Sequence, residues 1–320
     1  MDAAAAPVLR RTRRLGDRFG DALLYGLTAA AAVLSVLLVA AIVWRIADGA
    51  WAGIRHFGLG FVTSTDWNPV VGDFGAFQFI VGTVVTSFGA LLIAAPLSIA
   101  IGLFLSELAP PAIRGPIGAL IEMLAAVPSV VIGLWGIFVL APFVSQHVEP
   151  WMTDGLGWIP FFGGSPSPSG VLPAILVLAI MILPISSAIC RELFLGVPRE
   201  VEEGAVALGA TRWEMVRGVV VPSVKGGVVA ALVLGLGRAF GEAIPVTQVI
   251  GNADRLPHSI YQPGDTLASR IANQYQGAVS NLQVTSLIYL GLILLVITFT
   301  TNLVAQMVVR RFEFQRTGGS

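Results

Sequence analysis

The sequence predicts an all-α polytopic membrane protein with six transmembrane helices and both termini in the cytoplasm. Three observations carry this reading: a hydrophobic share of 55% with only 12% charged residues, six apolar runs long enough to span a bilayer, and an uneven placement of basic residues. A chain of 320 residues with that composition and a mean hydropathy of +0.82 cannot hide its apolar side chains in one soluble domain. Its formal net charge is zero, so no whole-chain argument for nucleic acid survives, and membrane lipid is the expected surrounding. The single cysteine, Cys190, excludes an internal disulfide and a Cys-rich metal site, and reads as a small apolar filler.

In chain order, residues 1–21 form a basic tail holding Arg10, Arg11, Arg13, Arg14 and Arg18, with nothing that reads as folded. The apolar run 22–44 is long enough to cross the hydrocarbon core, which takes about 20 residues, and longer than a signal-peptide core, so it is expected to be a retained first span. Further spans are expected at 79–105, 117–144, 171–195, 223–244 and 282–309, which makes 22–309 the transmembrane domain and 310–320 a second tail. Pro96, Pro128, Pro142, Pro173 and Pro184 fall within these runs. Prolines are tolerated in membrane helices where neighbours repair the backbone, so they predict bends.

Basic residues set the orientation. With the N-terminus inside, the cytoplasmic segments hold fourteen Lys and Arg residues and the outside loops only Arg45, Arg55, Arg255 and Arg270. The positive-inside rule therefore places both termini in the cytoplasm. The outside segments, 46–78, 145–170 and 245–281, carry Trp51, Trp67, Asn68 and Pro69 in the first and a Gly/Ser/Pro stretch, GGSPSPSG, in the second. They fit interfacial elements able to receive a soluble partner, while the Gly/Ser/Pro stretch reads better as a solvated loop.

Between the fourth and fifth runs lies a polar island, 198–222, which must face water. Pro198 suits the start of a helix, and Glu200, Glu202 and Glu203 come next in the turn where negative charge favours the helix dipole. Gly209 suits a left-handed stop. Thr211 and Glu214 have capping-box spacing, so a second short helix is expected from Arg212 until Pro222 interrupts it.

Missing motifs narrow the function. The one lysine, Lys225, lies in PSVKGG, so the chain has no Walker A loop and cannot drive transport alone. His56, His147 and His258 sit in separate loops without metal-ligand spacing, and no membrane-protease motif is present. No catalytic residue and no metal site is expected, and the chain does not read as an enzyme.

What remains is Arg238 and Glu242, four residues apart in the fifth run. Charges at membrane depth cost at least about 2.5–3.5 kcal/mol each, so they face a bundle interior or an aqueous cavity and take a partner. From Pro222 at 1.5 Å per residue, Arg238 stands about 24 Å up the helix, where an anion from outside could meet it. Gly237 and Gly241 form a small-residue pair that would admit a second helix closely. A purely structural ion pair is the competing reading. Glu122, early in the third run, is expected near the interface with its head toward the cytoplasm.

Glu203, Gly204, Ala205, Gly209, Val219, Val221 and Pro222 resemble the E-A-A…G…I-x-L-P loop of ABC importer permeases, with Gly204 for the first Ala and Val for Ile and Leu. That resemblance implies a coupling helix inserted into a cytoplasmic ATPase. The stretches PSVVIGLWG and GLGRAFGEA, with WNP at 67–69 and the run from Phe79, are similar to the permease subunits of high-affinity phosphate ABC importers, over nearly the whole chain after the tail. The resemblance implies a type I importer permease fold in the bacterial cytoplasmic membrane, and phosphate import by alternating access. It also implies a related permease PstA, two PstB ATPases that hold ATP and Mg, and a phosphate-binding protein PstS. In that family the matching arginine and glutamate serve phosphate passage, which assigns Arg238 and Glu242 to the substrate pathway. The alternatives are a permease for another oxyanion, molybdate or sulfate, and an ATP-independent carrier. A carrier would be expected to show internal repeats and more intramembrane carboxylates.

Overall fold

The structure, a computed structural model, describes residues 15–317, with side chains for residues 20–309. The basic tail through Arg14 lies outside the described residues. Among the described residues six helices are long and apolar enough to cross a membrane. Two compact units are present: residues up to Gly49, and residues from Ala50 onward. The first is the body of helix α1, Leu15–Phe57, which continues into the second unit past the expected end at residue 44.

Within the second unit, α2 (Gly60–Thr63) and a two-residue hairpin, β1 (Trp67–Asn68) with β2 (Asp73–Phe74), lead into α3 (Phe77–Leu103), which ends in a π turn at Phe104–Leu108. Trp67 is not interfacial: it is buried, with ring centroids 4.9 Å from Phe74 and 5.1 Å from Phe79.

The third expected span, 117–144, is not one helix. Helix α4 starts at Pro111 and ends at Ala125; the chain breaks at 126–128 and resumes as α5, Ser129–Trp135. The cause is Pro128, whose ring disfavours α geometry in the residue before it. From α5 the helix runs on through a π turn (Gly136–Leu140), α6 (Ala141–Phe143), a second π turn (Val144–Val148) and α7 (Glu149–Leu156). Helix α8, Val171–Leu195, is the most buried of the long helices. Gly118 of α4 lies against Arg191 near the end of α8, whereas Gly136 lies against Val177 near its start. Helices α4 and α5 therefore climb beside α8 together, with the break midway.

Lipid tails are as apolar as Leu, so helices here associate by fit rather than by exclusion of water. Glycines provide the fit. A Cβ at Gly89 would stand 2.9 Å from Ile175, at Gly102 2.9 Å from Cys190, and at Gly235 2.7 Å from Ile182 and Ser186. Helices α3 and α11 (Val221–Gly241) thus both close on α8, and they also touch each other. Cys190 is completely buried in the inner core with Phe194, Val216 and Val220.

The polar island forms α9 (Arg199–Ala207) and α10 (Arg212–Met215). Contrary to expectation, Pro222 does not stop the helix. A π turn at Val216–Val220 carries α10 into α11 and leaves Pro222 in the first turn of α11, where its missing N–H is not needed. After α11 come α12 (Ile244–Val249), α13 (Leu267–Gln274) and α14 (Asn281–Thr317).

Candidate functional site

Helix α11 ends at Gly241, and Glu242 leaves it with extended backbone. Arg238 stands in the last turn, where the unsatisfied carbonyls favour a cation. Its Nε donates to Glu242 Oε1 at 2.9 Å, with the arginine side chain 37% and the glutamate 15% exposed. One helical turn thus holds a cation that is paired on one side and open on another, so its remaining N–H groups can take a second anion. Gly237, one residue before it, faces Asn302 of α14 at 3.8 Å from a built Cβ, and nothing approaches Gly241. The expected close helix contact at Gly237 and Gly241 is absent among the described residues; the tight glycines on this helix are Gly227, where a Cβ would stand 2.7 Å from Leu193, and Gly235.

The residues expected to couple to an ATPase, Glu203, Gly204, Ala205 and Gly209, gather beyond the other end of α11. Gly209 closes α9 with φ +90°, a conformation that costs any side chain, and no atom crowds its Cβ position. Thr211 caps α10: its Oγ1 accepts from the Glu214 N–H at 3.3 Å, while Glu214 Oε2 accepts from the Thr211 N–H at 2.8 Å. Glu203 and Gly204 are exposed, and Ala205 packs partly against the inner core. Glu203 also borders a cavity of about 470 Å³ together with Glu107, Glu202 and Arg212. Burial, then the neighbouring Glu107 carboxylate, holds the Glu202 carboxyl above its usual range. Leu208 at 92% and Trp213 at 68% exposure add large apolar groups to the same surface. Reading the sequence missed them, although an isolated Leu and Trp within a polar island are themselves the signal of a protein-binding face.

Glu122 sits on α4 with its side chain exposed and 3.7 Å from Arg191 Nη1, one half of an ion pair with α8. Arg270, expected in an outside segment, is 1% exposed. Its Nε lies 2.8 Å from Asp265 Oδ2, its Nη2 pairs with Asp254, and Nη2 also donates to the Ala253 carbonyl at 3.2 Å. Its guanidinium lies 4.6 Å from the centre of the Phe79 ring. Burial pushes the Asp265 carboxyl up to about 6, against the opposing pull of Arg270. The Gly/Ser/Pro stretch is not a free loop either: the Ser167 N–H donates to the buried Glu149 at 2.7 Å. Among the described residues no cluster of three metal-ligating side chains occurs.

Residues 98–314 match the family described as binding-protein-dependent transport system inner membrane component. The chain is 42% identical to a phosphate transport system permease protein PstC of Mesorhizobium japonicum, over 98% of each chain. It is 43% identical to the PstC of Haemophilus influenzae, covering 89% of this chain and 92% of that one. With PstC 1 of Mycobacterium tuberculosis the identity is 40%, over 82% and 85%. Among solved structures, a chain of a bacterial alginate ABC transporter aligns with a TM-score of 0.60 at 16% identity, covering 93% of this chain and 98% of that one. A chain of the inward-facing MetNI methionine transporter aligns with a TM-score of 0.50 at 17% identity, over 76% and 96%. At those identities the likeness shows the permease fold alone.

Proposed function

The chain belongs to the PstC family of phosphate transport system permeases, and from that premise we propose that Arg238 with Glu242 forms its phosphate pathway and that 203–209 couples it to ATP hydrolysis. It is the multi-pass inner-membrane permease of a phosphate ABC importer and works in a complex with an ATPase and a binding protein. Nothing favours molybdate, sulfate or an ATP-independent carrier over phosphate. The specific partners in this reading are PstA as the second permease, two PstB subunits holding ATP and Mg, and PstS outside. Both termini and the α9–α10 segment lie in the cytoplasm.

The observation that carries the pathway is the half-exposed Arg238, held at 2.9 Å by Glu242. Glu242 fixes the guanidinium and offsets its charge, so an arriving phosphate is attracted without being trapped. PstB closure on ATP moves α9 and α10; the π turn at Val216–Val220 joins them to α11, which carries Arg238 at its far end. Helix α10, which follows the coupling helix α9, and the pathway arginine are therefore two ends of one continuous helix.

The test separates transport from assembly. Arg238→Lys keeps charge but loses the guanidinium fork, so it retains part of the labelled-phosphate uptake, whereas Arg238→Gln loses it with the complex still assembled. A structural pair behaves differently: Arg238→Gln strands Glu242 and misassembles, and adding Glu242→Gln rescues it. Wild-type uptake by that double variant would remove Arg238 from the pathway.

A further inference from the structure

Next to Arg238, α11 and α14 leave a groove of about 390 Å³, lined on one side by Ala230, Val233 and Leu234 and on the other by Asn302, Ala305 and Gln306. Its α11 wall leads to the arginine. Residues 230, 234 and 238 are spaced by four, so Arg238 follows Leu234 one turn on, just beyond the residues that line the groove. Gly237 faces Asn302, which sets that amide at the arginine's level. Gln306 lies one turn, about 5.4 Å, further along α14, beside the part of α11 that leads to the coupling segment. Among the described residues neither amide has a hydrogen-bond partner.

Two amides without a hydrogen-bond partner, one turn apart on one groove that ends a turn short of Arg238, Asn302 within the span and Gln306 near its end at Val309, mark a wetted face, because lipid would leave their polar atoms unsatisfied. Leu234, 58% exposed, shows the groove open on its far side, as a half-channel completed by a second permease must be. An amide offers what arginine lacks: its NH₂ donates and its carbonyl accepts. Inorganic phosphate at neutral pH carries both phosphoryl oxygens and a P–OH, whereas sulfate carries no proton.

We propose that Asn302 and Gln306 continue the anion path inward from Arg238 and favour an oxyanion that bears a proton. Their NH₂ groups bind oxygens, and their carbonyls accept the X–OH hydrogen that phosphate and arsenate have and sulfate lacks. The proposal rests on Arg238 being a pathway residue.

The experiment uses the whole complex reconstituted in vesicles, with labelled-phosphate uptake measured against arsenate and sulfate as competitors. Asn302→Leu and Gln306→Leu each lower uptake roughly tenfold, as loss of one hydrogen bond to a charged partner implies, with unchanged copurification of the second permease and the ATPase. Both narrow the margin by which arsenate outcompetes sulfate. Asn302→Gln, which keeps the amide, restores part of each. Wild-type uptake by the double Leu variant overturns the proposal, and so does lost uptake with an unchanged arsenate-to-sulfate margin. Copurification that falls in step with uptake also overturns it, since the amides would then be interhelical glue. The Arg238→Gln, Glu242→Gln pair run alongside assigns the failure. If that pair transports as wild type, the pathway reading falls; if only the Leu variants do, the amide path alone falls.

Discussion

Arg270 shows how much one buried charge can organise. Its guanidinium reaches Asp265, Asp254 and a backbone carbonyl and rests on the Phe79 ring, which ties the segment after α12 to the start of α3. Removing it leaves Asp265 buried without compensation, a change that typically costs about 3–5 kcal/mol. Arg270→Met should therefore lower the melting temperature of the purified protein sharply, and adding Asp265→Asn should recover part of the loss; equal melting of single and double variants would contradict the pairing. Asp265 also gives a pH dependence. Its folded carboxyl titrates near 6 against an ordinary value of 3.8, so the folded state holds the proton more tightly. The stability this contributes is full below about pH 4 and is lost as pH rises through 6. Asp265→Asn should flatten that decline in a melting series from pH 4 to 7.

At the scale of elements, the segment proposed to couple is two short helices joined by a turn, 208–211, that contains one glycine, Gly209, whose backbone admits no other residue cheaply. Gly209→Pro cannot adopt φ +90° and so reorients α9 against α10, while Glu203→Lys reverses the charge of the exposed face. Both variants should reach the membrane yet lose phosphate-stimulated ATPase activity; unchanged stimulation in both would detach this segment from coupling. Much of it was legible in the sequence, because capping and stop signals are local: Thr211, Glu214 and Gly209 act through neighbours within four residues. The run-on into α11 was not. A proline normally stops a helix, and only the π turn ahead of Pro222, a tertiary accommodation, lets the chain continue. Likewise Pro128 signalled a bend in the third run, but the completeness of the break and the earlier start at Pro111 depend on how α4 and α5 fit beside α8.

For the whole molecule, hydropathy sufficed to find six crossings, since length and apolar content alone decide whether a helix can span. The i, i+4 rule sufficed to find Arg238 and Glu242. It could not find Arg270, Asn302 or Gln306, whose surroundings come from segments far away in sequence: Phe79 and Asp254 for the first, α11 for the other two. Orientation is a property of the whole chain, set by where its arginines lie. A reporter joined after Arg217 should read cytoplasmic and one after Arg255 periplasmic; the opposite pattern would invert the coupling face and the mouth of the pathway together.

The burial of Cys190 has a practical side. The chain's one thiol is sealed between α8 and Gly102 of α3, with no exposed surface. A thiol-reactive spin label or dye added to the wild-type complex should leave this subunit unmarked. A cysteine introduced on α9 and another beside Arg238 would then be the sole labelled positions of this subunit, in a background that keeps its native packing. Nanometre-scale distances between them, with and without ATP, would track the stroke of α11 directly.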